Sequence, residues 1–182
     1  MFRRQEYKEA LIFLQKADKE TQESEAYFTL FINILLGMEN KNEAYIAYSK
    51  YLAAHPESVE IRRLAYELAI KTDRFKEAIE HFVYLKEKNS LDNLNVLLHE
   101  QLFNFIKENG QPERSKKYAE EVLATLNNND DKILIRTFLA NLHATYDNLY
   151  KAEQELRKIV LENFDNPVPY LNLISFLISN RE

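Results

Sequence analysis

Ala10, Ala44 and Ala78 follow one another at intervals of 34 residues, and Leu14, Tyr48 and Phe82 each stand four residues further on. A fixed period of this length is the signature of a helical repeat array, in which each helix pair buries its apolar face against its neighbours. The clearest copy of the second helix of the pair is residues 42–56, NEAYIAYSKYLAAHP. Ala44, Tyr48, Tyr51 and Leu52 recur at helical spacing, while Glu43, Ser49 and Lys50 fall on the other face. Pro56 closes the run, because proline cannot continue a helix.

The small anchors can be followed to the end of the chain. After Ala78 come Ser115 and Ala152, each 37 residues on, so the period lengthens by three residues. The Asn- and Asp-rich joints at 89–95 and 127–132 are expected to take in the extra length, since these residues favour turns and caps. The chain therefore reads as all-α, an α-solenoid of about ten helices in one domain, residues 1–182. Its expected parts are a half repeat at 1–20, repeats at about 24–57, 58–92, 93–129 and 130–166, and a terminal helix at 167–181. Ser24 and Ser58 are expected N-caps, Pro112 a first helical residue, and Gly110 a turn. The opening helix is expected at about 5–18, as the second helix of a repeat whose first is missing.

Composition narrows the function. With only Gly37 and Gly110 in the chain there is no glycine-rich phosphate loop, and with no Cys there is neither a disulfide nor a thiolate metal site. The four histidines, His55, His81, His99 and His143, show no metal-ligand spacing, so no cofactor is expected; His99 and His143 fall on packing faces as structural residues. Ser and Thr sit at caps and joints rather than beside a base, which argues against an enzyme. Lys plus Arg number 24 and Asp plus Glu 29, a net charge of −5. The basic pairs Arg3–Arg4, Arg62–Arg63 and Lys116–Lys117 are each flanked by acidic residues, so no nucleic-acid partner is expected. No apolar stretch approaches the roughly 20 residues of a membrane span, and the start, MFRRQEYKEALIFLQKA, reads as an amphipathic helix rather than a signal peptide. These features favour the cytoplasm and fit an extracytoplasmic chain without disulfides.

The second unit carries a family pattern: Phe28-x2-Phe31-Ile32-x2-Leu35, then Ala44-x3-Tyr48, then Pro56. It resembles the tetratricopeptide repeat (TPR), and the resemblance covers nearly the whole chain. It implies antiparallel helix pairs stacked in a right-handed superhelix. The third unit departs from the pattern with Arg62 at the first aromatic position and Ser90 for the proline. Ile32, Tyr66, Phe103 and Ala140 occupy a position where the family usually has a small residue, which is expected to push paired helices apart or demand compensation.

The resemblance also implies that the first helices line a concave groove that takes an extended or helical peptide. The inward residues would be Thr29, Leu30 and Asn33; Arg63, Leu64, Glu67 and Lys71; Glu100, Gln101, Asn104 and Lys107; and Thr137, Phe138 and Asn141. Counting eleven back from each small anchor gives Asn33, Glu67, Asn104 and Asn141. A row of side-chain amides can pair with a peptide backbone whatever its sequence. The Lys/Asn/Arg clamp by which some family members hold a carboxylate is matched here only by Asn33. The expected function is a non-enzymatic scaffold for a peptide or partner protein. The alternatives are a homo-oligomeric element assembling through Tyr170, Leu173, Ile174 and Leu177 of the terminal helix, or the regulatory or targeting portion of a larger protein.

Overall fold

A computed structural model describes residues 2–91, 94–146 and 148–180. Within them every regular element is an α-helix: α1 (Phe2–Leu14), α2 (Lys19–Gln22), α3 (Glu25–Gly37), α4 (Lys41–Ala54), α5 (Val59–Lys71), α6 (Phe75–Glu87), α7 (Val96–Glu108), α8 (Pro112–Leu123), α9 (Asn129–Tyr146), α10 (Leu149–Glu162) and α11 (Pro167–Ser179). The expected repeat start at Asn93, the end of the terminal helix at Arg181 and the side chains of Arg3 and Arg4 lie outside the described residues. The chain divides into two compact units, Met1–Ser90 with α1–α6 and Leu91–Glu182 with α7–α11.

Helix starts follow the expected chemistry. The hydroxyls of Ser24 and Ser58 accept from the backbone N–H of Tyr27 and Ile61, both at 3.2 Å, and Pro112 opens α8. Asn40, Asn95, Asn148 and Asn166 cap α4, α7, α10 and α11 in the same way. The opening helix differs from the 5–18 expectation, because it stops at Leu14 and a separate turn, α2, follows. The Asp18 carboxylate accepts from Thr21 N–H at 2.8 Å and starts α2, while the Gln22 amide donates to the Ala17 carbonyl at 2.8 Å and holds the bend. That turn is the one helix beyond the ten expected.

The turn between paired helices repeats a motif that is not obvious in the sequence. Glu39, Asp73 and Gly110 all have positive φ (62°, 58° and 76°), at spacings of 34 and 37. In each case the next residue reaches five back: Asn40 to Leu35, Arg74 to Ala69 and Gln111 to Ile106, at 2.8, 2.8 and 3.2 Å. Gly37 has a different reason to be glycine. The ring of Tyr7 occupies the space that a Cβ there would need, so α1 lies directly on the end of α3.

The longer period is handled in two ways. Between α6 and α7 the joint itself lengthens, spanning 88–95 where the α4–α5 joint spans only 55–58. The joint expected at 127–132 is shorter, because Asp131 and Lys132 are helical and α9 has 18 residues where α7 has 13. The Asn128 side chain accepts from Asp130 N–H at 2.8 Å, and acidic residues suit this first turn, so the Asp-rich stretch starts a helix instead of interrupting one.

In the first unit α3 packs against both α4 and α5, burying Ile32, Leu35, Ala44, Tyr48, Ile61 and Leu68 in one cluster. In the second, α9 packs on α7, α8 and α10. The bulky Ile32, Tyr66 and Phe103 are fully buried, and so are the small anchors Ala44, Ala78, Ser115 and Ala152. Ile32 shares one cluster with Ala44, and Ser115 touches Phe103, so in these two pairs a small anchor stands beside a bulky residue. Ser115 fits an alanine slot because its hydroxyl donates to the Phe103 carbonyl at 2.7 Å, so no buried polar atom is left over.

Candidate functional site

In the second unit α7 and α9 form the sides of a trough. Its first hollow, about 310 Å³, is lined by Glu100 of α7, by Asp130, Ile133, Leu134, Thr137, Phe138 and Asn141 of α9, and by Asn166 and Val168 at the start of α11. The second, about 180 Å³, shares Glu100, Phe138 and Asn141 and adds Asn104, Lys107, Leu142, Thr145 and Tyr146. From Asp130 to Tyr146 a helix rises about 24 Å, which matches roughly seven residues of extended peptide.

The floor is fixed by the core beneath it. His99 is completely buried and stacks on Phe103 at 5.9 Å, and Phe103 meets Phe138 at 5.8 Å. Burial alone lowers the His99 pKa to about 4, so the ring is neutral and serves as packing. Phe138 is itself only 5% exposed, so it is floor rather than a projecting side chain. Above it, Lys107 Nζ lies 6.0 Å from the Phe138 ring and donates to Asn104 Oδ1 at 2.9 Å, which leaves the Asn104 amide N–H groups for another acceptor. Asn141 is exposed.

Of the groove residues expected from the sequence, Glu100, Asn104, Thr137, Phe138 and Asn141 thus line one trough, while Gln101 is exposed outside it. The first unit places its share differently. Lys71 pairs with Glu67 at 3.1 Å, and Arg63 donates to the Ser90 carbonyl at 3.3 Å and lies 3.8 Å from Glu60. Thr29 and Asn33 stand on α3. None of these five lines the large hollow of that unit, about 830 Å³, which lies among α2, α3 and α4 over Tyr27, Phe28, Phe31, Ile46, Ala47 and Tyr51. Its aromatic density was the available signal in the sequence. Asp130, Asn166 and Val168 were also missed, because the first belongs to the unforeseen turn of α9 and the others to the start of α11.

The terminal helix splits the residues expected to form an assembly face. Leu173 is buried with Ala140, Leu156 and Ile159, and Leu177 packs against that cluster, so both belong to this unit's own core. Tyr170 and Ile174 are exposed at 37% and 50%. Among the described residues no group of three or more His, Cys, Asp or Glu is placed to hold a metal ion, and no helix is long and apolar enough to cross a membrane.

No protein-family model matches this sequence, and no curated protein matches it. Solved structures do. YrrB, described as a TPR protein with an unusual peptide-binding site, matches at TM-score 0.68 and 19% identity over 93% of this chain and 85% of that one. A double mutant of MamA (RS-1) matches at TM-score 0.68 and 15% identity over 87% of this chain and 86% of its own. A thermophilic TPR protein from Thermus thermophilus matches at TM-score 0.53 and 17% identity, covering 94% and 91%. At these identities the likeness establishes the fold, which is that of the tetratricopeptide repeat proteins.

Proposed function

We propose that this chain is a non-enzymatic interaction scaffold that takes a peptide segment of a partner protein in the trough between α7 and α9. The observation that carries this reading is the convergence of Asn104 and Asn141 on one hollow above the apolar Phe138. Amides beside an apolar floor suit an extended chain, whose backbone they pair with while a side chain fills the hollow. YrrB, of the same fold, is described as having a peptide-binding site. Selection of a displayed random peptide library on the full chain tests the proposal. The selected peptides should lose most of their affinity for an Asn104→Ala/Asn141→Ala variant, and equal binding to the variant and the parent would sink it.

A second reading, association with another copy of this chain, is supported by α11. This helix has no charged residue from Pro167 to Ser179, and its Val168, Leu171, Ile174 and Ile178 are all at least half exposed. Light scattering tests it: Ile174→Lys should lower the mass at high concentration, and a strictly monomeric parent chain would end this reading.

A further inference from the structure

The trough is asymmetric in charge, and the asymmetry selects its ligand. Glu100 and Asp130 stand at the first hollow, and neither carboxylate makes a hydrogen bond or ion pair among the described residues. Four other acidic side chains of this unit are engaged: Glu155 and Glu162 hold Arg136 at 3.2 and 3.0 Å, Glu153 holds Arg157, and Glu113 holds Lys116. A further hollow of about 460 Å³ adjoins the first through Asp130 and Asn166, and adds the Asp165 carboxylate. Among the described residues the one cation lining the trough, Lys107, stands in the second hollow and is occupied with Asn104. Between the two ends lies the apolar floor of Ile133, Leu134 and Phe138.

We infer that the trough is selective for peptides in which a Lys or Arg adjoins a bulky apolar residue, the cation lying over Glu100 and Asp130 and the apolar side chain on Phe138. A long basic side chain suits this place twice, because its methylene stem lies on the apolar wall while its head reaches the carboxylates. An acidic segment there would leave three carboxylates facing like charge, so the arrangement rejects as well as attracts. The net charge of −5 adds a weak bias of the same sign.

The inference rests on the peptide-binding reading, and its test separates the two. The labelled full chain is titrated, by amide NMR, with three synthetic octapeptides of sequence Gly-Lys-Lys-Leu-Phe-Gly-Ser-Gly, the lysine pair being kept, changed to Gln-Gln or changed to Glu-Glu. The basic peptide should bind about tenfold more tightly than the Gln peptide at low salt and lose that advantage near 0.5 M salt, where screening is strong. The Glu peptide should bind most weakly. A Glu100→Gln/Asp130→Asn variant should keep the affinity of the Gln peptide and lose the preference for the basic one. Equal binding of all three, preference for the acidic peptide, or a preference that survives in the variant would overturn the inference alone. If no peptide moves any trough resonance, the peptide-binding reading falls with it.

Discussion

The two units follow one repeat pattern and differ in which of their groove side chains are tied up, although in each a lysine pairs one turn away on its own helix. In Met1–Ser90 the charged residues expected in the groove satisfy each other or the backbone: Glu67 takes Lys71, and Arg63 takes Ser90 and Glu60. The hollow of that unit combines aromatic side chains with Lys19, Glu23, Glu43 and Lys50 and lies on other faces. In Leu91–Glu182 Lys107 is likewise tied to Asn104, but Glu100, which stands where the first unit has Arg63, and the exposed Asn141 line a hollow beside a floor tied to the core. The comparison teaches that position in a repeat assigns a residue to a face, while its neighbours one helical turn away decide whether it remains available to a ligand.

The largest effects come from the cores. Phe103→Ala should destabilise the second unit by about 3–5 kcal/mol, and Tyr66→Ala should do the same to the first. Urea unfolding with hydrogen exchange checks both, and a loss spread evenly over all helices would break the distinction between the units. Next comes pH. Burial holds the pKa of both His81 and His99 at about 4, against the usual 6.5; beside His81 the Glu77 carboxylate opposes this and Arg62 adds to it. The unfolded chain therefore takes up these protons first as pH falls, and stability present above pH 6.5 is lost progressively toward pH 4. For His99 the loss is on the order of 3 kcal/mol, and His99→Leu should flatten the acid limb of the second unit's melting curve only.

Smaller effects sharpen the comparison at the turns and the trough. Asn104→Ala with Asn141→Ala should weaken a selected peptide about tenfold, or 1.4 kcal/mol, with little change in melting temperature. Asn33→Ala, in the first unit, should leave the affinity unchanged. At the positive-φ turn positions, Glu39→Gly and Asp73→Gly should each stabilise the first unit by about 0.5–1 kcal/mol, because glycine adopts this conformation without strain. Gly110→Ala should lose about 1 kcal/mol in the second. Thermal melts of the single variants read all three.

Much of this was legible in the sequence. The anchors Ala44, Ala78, Ser115 and Ala152 placed the helix pairs, because a small residue at a regular interval marks where helices approach closely, and all four are fully buried. Ser24 and Ser58 marked helix starts for a local chemical reason. The turn motif was hidden at Glu39 and Asp73, since side chains other than glycine occupy a conformation that glycine usually signals. The extra turn of α9 was hidden because Asn128, Asp130 and Asp131 suit a joint and a helix start equally. The trough depends on which polar groups find partners, as Lys107 finds Asn104, and the three-residue spacing permits that pairing without imposing it.

The most direct measurement is the map of amide shifts in the labelled full chain on adding the basic octapeptide. Changes should cluster at Glu100, Asn104, Phe138 and Asn141, with Tyr27, Phe28, Phe31 and Tyr51 silent. Changes centred on those four aromatic residues, with the trough unmoved, would contradict peptide binding in the trough.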